Sequence, residues 1–143
     1  MERSGALDIT PLTDADIGVV IALWTQCGLT RPWNDPYADI AFARETPSSD
    51  VLIGRHEGRI VATAMVGSDG HRGYAYYVAV DPDLQRTGLG REIMEAAETW
   101  LKARGCPKFH VLVRSANTEA MAFYERLGFT TDDALLLGKR FDA

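Results

Sequence analysis

The sequence predicts an α/β fold, a central twisted mixed sheet with helices covering both faces. Three observations carry this reading. Helical and strand patterns alternate along the chain in the order β-αα-βββ-α-β-α-β(β), the pattern of a layered α/β arrangement. Residues 50–80 hold three strand-like runs in succession, a meander. The last run leads through a glycine-bearing junction, LQRTGLGREIMEAA (residues 84–97), into an amphipathic helix. At 143 residues the chain fits one domain, residues 1–143, with a substantial core.

Each element has a local cause. Residues 6–10 (ALDIT) form a first strand. PLTDADIGVVIALWTQCG is a helix capped by Thr13 or Asp14, with Ile17, Val20, Ile21 and Trp24 at helical spacing and Gly28 as its stop. TRPWNDPYADIAFARE supplies a loop and a short helix, with Asp35 as N-cap and Pro36 in the first helical position. DVLIGRHEGRIVATAMVG is a hairpin around Glu57-Gly58, GSDGHRG a polar loop, and YAYYVAV the third strand, stopped by Pro82. From Thr87 to Arg104, Leu89, Ile93, Ala97 and Leu101 fall at four-residue steps on one helical face. Gly105 and Pro107 end that helix, and KFHVLV is a short buried strand. NTEAMAFYERLG is a helix with Asn117 as cap and Gly128 as left-handed stop, and residues 129–141 pair as one or two further strands.

Composition narrows the function classes. Hydrophobic residues make up 46% and charged residues 24%, as in ordinary globular proteins, and no apolar run reaches membrane-spanning length. The N-terminus lacks the apolar region of a secretory signal, so a cytoplasmic protein without a membrane partner is expected. A net charge of −5 argues against a nucleic-acid partner, fits a cationic substrate, and equally fits a protein acidic for solubility alone. Cys27 and Cys106 form no CxxC, and His56, His71 and His110 have no ligand spacing, so no metal is expected and the cysteines read as small hydrophobes.

The junction is where the sequence spends residues on something other than packing. A helix N-terminus leaves about four backbone N–H groups without intrahelical partners and carries partial positive charge, so it suits an anion. Gly88 and Gly90 would let a phosphate approach the backbone, flanked by Gln85, Arg86 and Arg91. Neither common nucleotide fingerprint fits: GxGxxG fails at Ile93, and no GxxxxGK[ST] occurs. Alone, the junction reads equally as a β-to-α turn without a ligand.

The stretch VAVDPDLQRTGLGREIM resembles the acetyl-CoA-binding motif of the GCN5-related N-acetyltransferases. That motif's core, Q/R-x-x-G-x-G/A, is matched by Gln85-Arg86-Thr87-Gly88-Leu89-Gly90. Downstream, NTEAMAFYERLGF resembles that family's asparagine-then-tyrosine helix, with Asn117, Tyr124 and the LGF end, at the family's separation of one helix and one strand. The motifs span roughly residues 75–130. The resemblance implies the acyl-CoA N-acyltransferase fold and acetyl-CoA as cofactor. Backbone amides at 86–91 would cradle the pyrophosphate. The strand 74–80 would splay from KFHVLV, so that Val78, Ala79 and Val80 pair with pantetheine as an added strand would. Asn117 would contact the cofactor, or serve as a plain N-cap, or both. Tyr124 would act on the leaving thiolate, against the alternative of a core tyrosine.

Transfer of acetyl to an amine also needs a neutral amine and a stabilised oxyanion, the latter served by backbone N–H near Val80. The general base stays open among Asp69, His71, Glu119, Tyr76 and Tyr77. Relatives that acetylate ribosomal-protein N-termini carry a Glu where this chain has Leu112, which argues against that substrate. By the resemblance, RPWNDP (31–36) and SDGHRG (68–73) flank the acceptor cleft, with Trp33, Asn34, His71, Tyr76 and Tyr77 as acceptor-binding residues. Trp33 reads equally as part of a satellite apolar cluster. Those two segments together also resemble a small bacterial subgroup of the family. The expected activity is direct transfer from acetyl-CoA to a primary amine of a small molecule or peptide, by a monomer or homodimer. The alternative is an acyl-CoA-binding regulatory module without turnover.

Overall fold

The computed structural model describes residues 6–142. Backbone contacts divide the chain into two units, residues 1–112 and 113–143. The first unit holds a five-stranded sheet in the order β1-β2-β3-β4-β5. Its strands are β1 (Asp8–Pro11), β2 (Ser49–His56), β3 (Arg59–Ser68), β4 (Gly73–Val80) and β5 (Phe109–Val111). The first four pair antiparallel and β5 joins β4 in parallel, so the sheet is mixed as the sequence predicts.

Helices α1 (Ile17–Gln26) and α2 (Pro36–Glu45) cover one face of this sheet and α3 (Leu89–Ala103) covers the other. The period-2 alternation of β2 divides its side chains between them. Val51 and Ile53 pack with Val20, Leu23, Trp24 and Ile40, while Leu52 packs with Leu89, Ile93, Ala97 and Leu101. The four-residue rhythm of α3 is thus the stripe that seals the second layer. A fully buried side chain such as Ile93 contributes about 1.5–3 kcal/mol over exposure.

The local signals act where the sequence places them. The Asp35 carboxylate accepts from the Tyr37 and Ala38 amides at 3.0 and 3.4 Å, and Pro36 opens α2. Glu57 and Gly58 both have positive φ, 53° and 80°, as the tight turn of a two-residue hairpin loop requires.

Three expectations are corrected. Helix α3 begins at Leu89, not Thr87, because left-handed Gly88 (φ 92°) is its N-cap. The KFHVLV run forms only Phe109–Val111 as strand, and that strand is half-buried. In the second unit, α4 (Thr118–Arg126) forms, but residues 129–142 contain no strand. A strand exists only through a partner ladder, and the apolar run Leu135, Leu136, Leu137 is exposed rather than paired.

Candidate active site

The junction after β4 is built in successive turns. Asp81 caps a short 3₁₀ turn (Pro82–Leu84), accepting from the Asp83 amide at 2.9 Å, and is held by Arg59 at 2.9 Å. The Gln85 amide donates back to the Val80 carbonyl at 3.1 Å, and the Thr87 hydroxyl donates to the Leu84 carbonyl. Arg86 (φ 67°) and Gly88 (φ 92°) then take left-handed backbone on either side of Thr87. Alternation of this kind turns successive N–H groups inward and makes a concavity suited to anions.

Gly88 has no side chain, so the N-cap position supplies no acceptor to the first α3 amides. An added Cβ at Gly88 would find no protein atom within 4 Å. Leu89 is different: its side chain lies in the core, 4% exposed, so only its backbone faces the loop. A bare amide set, a helix dipole and open space around Gly88 fit an anion such as a pyrophosphate.

Strand β4 supplies an open edge. Its pairing with β5 covers Gly73, Tyr74 and Ala75 only, so from Tyr76 to Val80 no strand lies on that side of it among the described residues. The two strands part after Ala75. On the opposite edge the β3 ladder changes register: Thr63 pairs with Ala79 but Met65 pairs with Tyr76, leaving Ala64 opposite both Tyr77 and Val78. This is a β-bulge, and Tyr77 sits in it with left-handed φ of 51°.

The bulge decides where the tyrosines go. In a regular strand Tyr76 and Tyr77 would face opposite sides. Here Tyr76 stands opposite Met65, which packs on the α1/α2 side, and Tyr77 packs on that same side. The Tyr77 ring stacks on Trp24 at 3.8 Å between centroids, and its hydroxyl donates to Asp39 at 2.7 Å. Burial, with the hydrogen bond to Asp39 and the charges of Asp39 and Asp35, pushes the Tyr77 phenol well above its ordinary pKa. Burial also pushes up the half-exposed Tyr76 phenol. Nothing local in the sequence singles out Thr63 or Asp39, yet both are bonded to Tyr77.

The other expected acceptor residues lie on loops. Trp33 is exposed, and Asn34 turns back through its amide to the Arg31 carbonyl at 3.1 Å. His71 is exposed in a tight loop in which the Asp69 carboxylate accepts from the His71 and Arg72 amides at 2.8 and 2.7 Å. Those bonds hold the Asp69 carboxyl below its usual range.

In the second unit, the Asn117 side chain caps α4, accepting from the Ala120 amide at 3.0 Å. Tyr124, further along the same helix, makes edge contacts with Phe123 and Phe129 at 5.0 and 5.6 Å. Burial pushes its phenol up to about 12.

Residues 19–129 match the Acetyltransferase (GNAT) family. An acetyltransferase of Pectobacterium atrosepticum is 41% identical over 134 residues, covering 94% of this chain and 95% of that protein. The chain belongs to the GNAT acetyltransferase family. An acetyltransferase of Yersinia enterocolitica is 40% identical with the same coverage. Among solved structures, AAC(6')-Iy in complex with the bisubstrate analogue CoA-S-monomethyl-acetylneamine shares the fold, with a TM-score of 0.80 at 15% identity and coverage of 94% of this chain and 97% of that one. The ribosomal-protein-S18-alanine N-acetyltransferase of Escherichia coli has a TM-score of 0.73 at 26% identity, over 87% of this chain and 77% of that one. This GNAT protein is an N-acetyltransferase that uses acetyl-CoA. No described helix is long and apolar enough to cross a membrane.

Proposed function

We propose that this enzyme acetylates a primary amine of a small molecule or peptide by direct transfer within a ternary complex. The observation that carries the reading is one continuous feature: the open β4 edge from Tyr76 to Val80 runs into the uncapped, left-handed start of α3. The edge offers backbone donors and acceptors spaced for the amides of pantetheine, and the helix start offers amides for the pyrophosphate. Val78 and Ala79 are the principal edge contacts, because the Val80 carbonyl already accepts from Gln85 and from the Cys27 thiol at 3.3 Å. Backbone amides of Arg86, Thr87, Gly88, Leu89, Gly90 and Arg91 form the anion cradle, and Asn117 adds a cofactor contact while capping α4.

Bound acetyl-CoA supplies an acetyl thioester and a thiolate leaving group. Tyr124 would be the residue to hydrogen-bond the sulfur, the role the family resemblance implies for it. With its phenol pushed up to about 12, it is a firm donor and a reluctant proton-releaser. A lysine-like amine of pKa about 10.4 is neutral once in a few thousand molecules at pH 7, a handicap of roughly 4–5 kcal/mol. Desolvation beside Trp33, Asn34, Tyr76 and Tyr77 lowers that handicap by disfavouring the ammonium. Asp69 is a poor base, since its loop bonds depress its pKa.

Release of free thiol from acetyl-CoA across a panel of amines, peptides and aminoglycosides tests the reading. Saturable, amine-dependent release is expected. Saturable acetyl-CoA binding without release by any amine would leave a cofactor-sensing module instead.

A further inference from the structure

Four residues that are distant in sequence meet at the β4 bulge. Trp24 and Thr63 are both fully buried. The Trp24 indole N–H donates to the Thr63 hydroxyl at 2.8 Å, and that hydroxyl lies 2.8 Å from the Tyr77 carbonyl oxygen. Proton direction is fixed by the groups themselves. An indole N–H only donates and a carbonyl only accepts, so the single Thr63 proton must go to Tyr77. At the other end a carboxylate accepts, so the Tyr77 hydroxyl donates to Asp39. The Tyr77 ring lies flat on the Trp24 indole, with the planes 9° apart. Tyr77 is therefore held at its carbonyl, its ring face and its hydroxyl.

Such over-determination has something to oppose. A left-handed backbone is unfavourable for a tyrosine, and a bulge carbonyl turned out of the ladder needs another donor. Strained conformations persist only where their surroundings enforce them. The adjoining residues, Val78 to Val80, form the open edge.

We propose that Trp24, Thr63 and Asp39 are positioning residues for acetyl transfer, acting through Tyr77 to fix the bulge and hence the Val78–Val80 backbone against which the acyl group is oriented. This rests on the proposed use of that edge. None of the three touches the reacting atoms. Thr63 secures the carbonyl side of the bulge, Trp24 its ring, and Asp39 ties it to α2.

The test combines kinetics with a readout that needs no turnover. Thr63→Val keeps the volume and removes the hydroxyl; Asp39→Ala removes the outer tie, and Asp39→Asn keeps an oxygen acceptor. Amide hydrogen exchange over residues 77–80 should quicken about tenfold or more in Thr63→Val and Asp39→Ala, and return towards wild type in Asp39→Asn. Affinity for CoA, set largely at the α3 start, should change less than about threefold, while kcat falls roughly 10- to 100-fold, the scale of a small misplacement of reacting groups. Folded variants with wild-type exchange and wild-type kcat would overturn the proposal. If Thr63→Val fails to fold, the Asp39 pair of variants decides alone. A wild-type protein that binds acetyl-CoA but acetylates no amine would defeat the transfer reading, and the exchange data would still decide whether these residues hold the bulge.

Discussion

Arg86 and Gly88, two positions apart, both adopt left-handed backbone, and between them they turn the chain from the end of β4 into the first turn of α3. The turn and the helix start are one anion site in this reading, so the two glycines there separate fold from binding. Gly88→Val places a branched side chain at positive φ and should cost about 1–2 kcal/mol of stability on its own. Gly90→Val falls inside the helix, where valine is no worse a helix former than glycine, and should leave the melting temperature nearly unchanged. Both should weaken acetyl-CoA binding by more than about tenfold, or 1.4 kcal/mol, in titration calorimetry. Wild-type affinity in both would remove the loop from the site.

Acid should loosen the start of α1. Asp16 accepts from the Thr13 amide at 2.9 Å and hydroxyl at 2.8 Å, and from Arg55 at 2.8 Å. The Thr13 backbone bond is the largest influence, and with its partners it outweighs burial and holds the carboxyl below its ordinary pKa. A depressed folded pKa means the contribution is full above the unfolded value near 3.9 and is lost as pH falls through the folded one. Asp16→Asn should therefore be less stable than wild type at pH 7 by about 1–3 kcal/mol, and the difference should shrink below about pH 4. Urea titrations at both pH values measure it; a gap that is constant with pH would show that the ionised form is not what matters.

Thiol and metal chemistry are not expected to contribute. The Cys27 thiol donates to the Val80 carbonyl, and burial pushes its pKa up, the opposite of an activated nucleophile. Among the described residues no cluster of His, Cys, Asp and Glu is arranged to hold a metal. Cys27→Ser keeps a donor for Val80, so the double variant with Cys106→Ser should retain wild-type kcat, as should enzyme treated with EDTA. Complete loss of activity in a folded double variant would instead indicate an acyl-cysteine route.

What the sequence revealed and what it hid divide along the range of the interactions. Asp35-Pro36, Glu57-Gly58, Asn117 and Gly128 act within a few residues of themselves, and each is found in its expected role. At the junction the turn from strand to helix was legible for the same reason, but Gly88 as its left-handed N-cap was not. The bulge at Tyr77 was not, because tyrosine has no left-handed preference of its own. Its conformation is set by Trp24, Thr63 and Asp39, which are 53, 14 and 38 residues away by subtraction of their sequence numbers. The tail misled for a related reason: Leu135–Leu137 has the apolarity of a strand, but apolarity supplies no ladder.

Tyr124→Phe isolates one oxygen. The ring contacts with Phe123 and Phe129 do not involve the hydroxyl, so the variant should fold, with a melting temperature close to wild type. If the hydroxyl meets the sulfur only as negative charge develops there, it stabilises the transition state and adds little to the bound ground state. Then kcat and kcat/KM should fall together while acetyl-CoA affinity holds. Proton-transfer contributions run to ~10²–10⁴-fold, which sets the upper scale, and a hydrogen bond without full transfer should fall towards the lower end. The pH profile adds a second check. With the phenol pushed up to about 12, the Tyr124 proton stays in place throughout the assayable range. Wild type and Tyr124→Phe should therefore differ by a constant factor from about pH 6 to roughly pH 10. Steady-state kinetics on any accepted amine measures both. A wild-type kcat in the variant would return Tyr124 to packing alone, and a ratio that drifts across neutral pH would mean that the hydroxyl titrates as a base rather than standing as a donor.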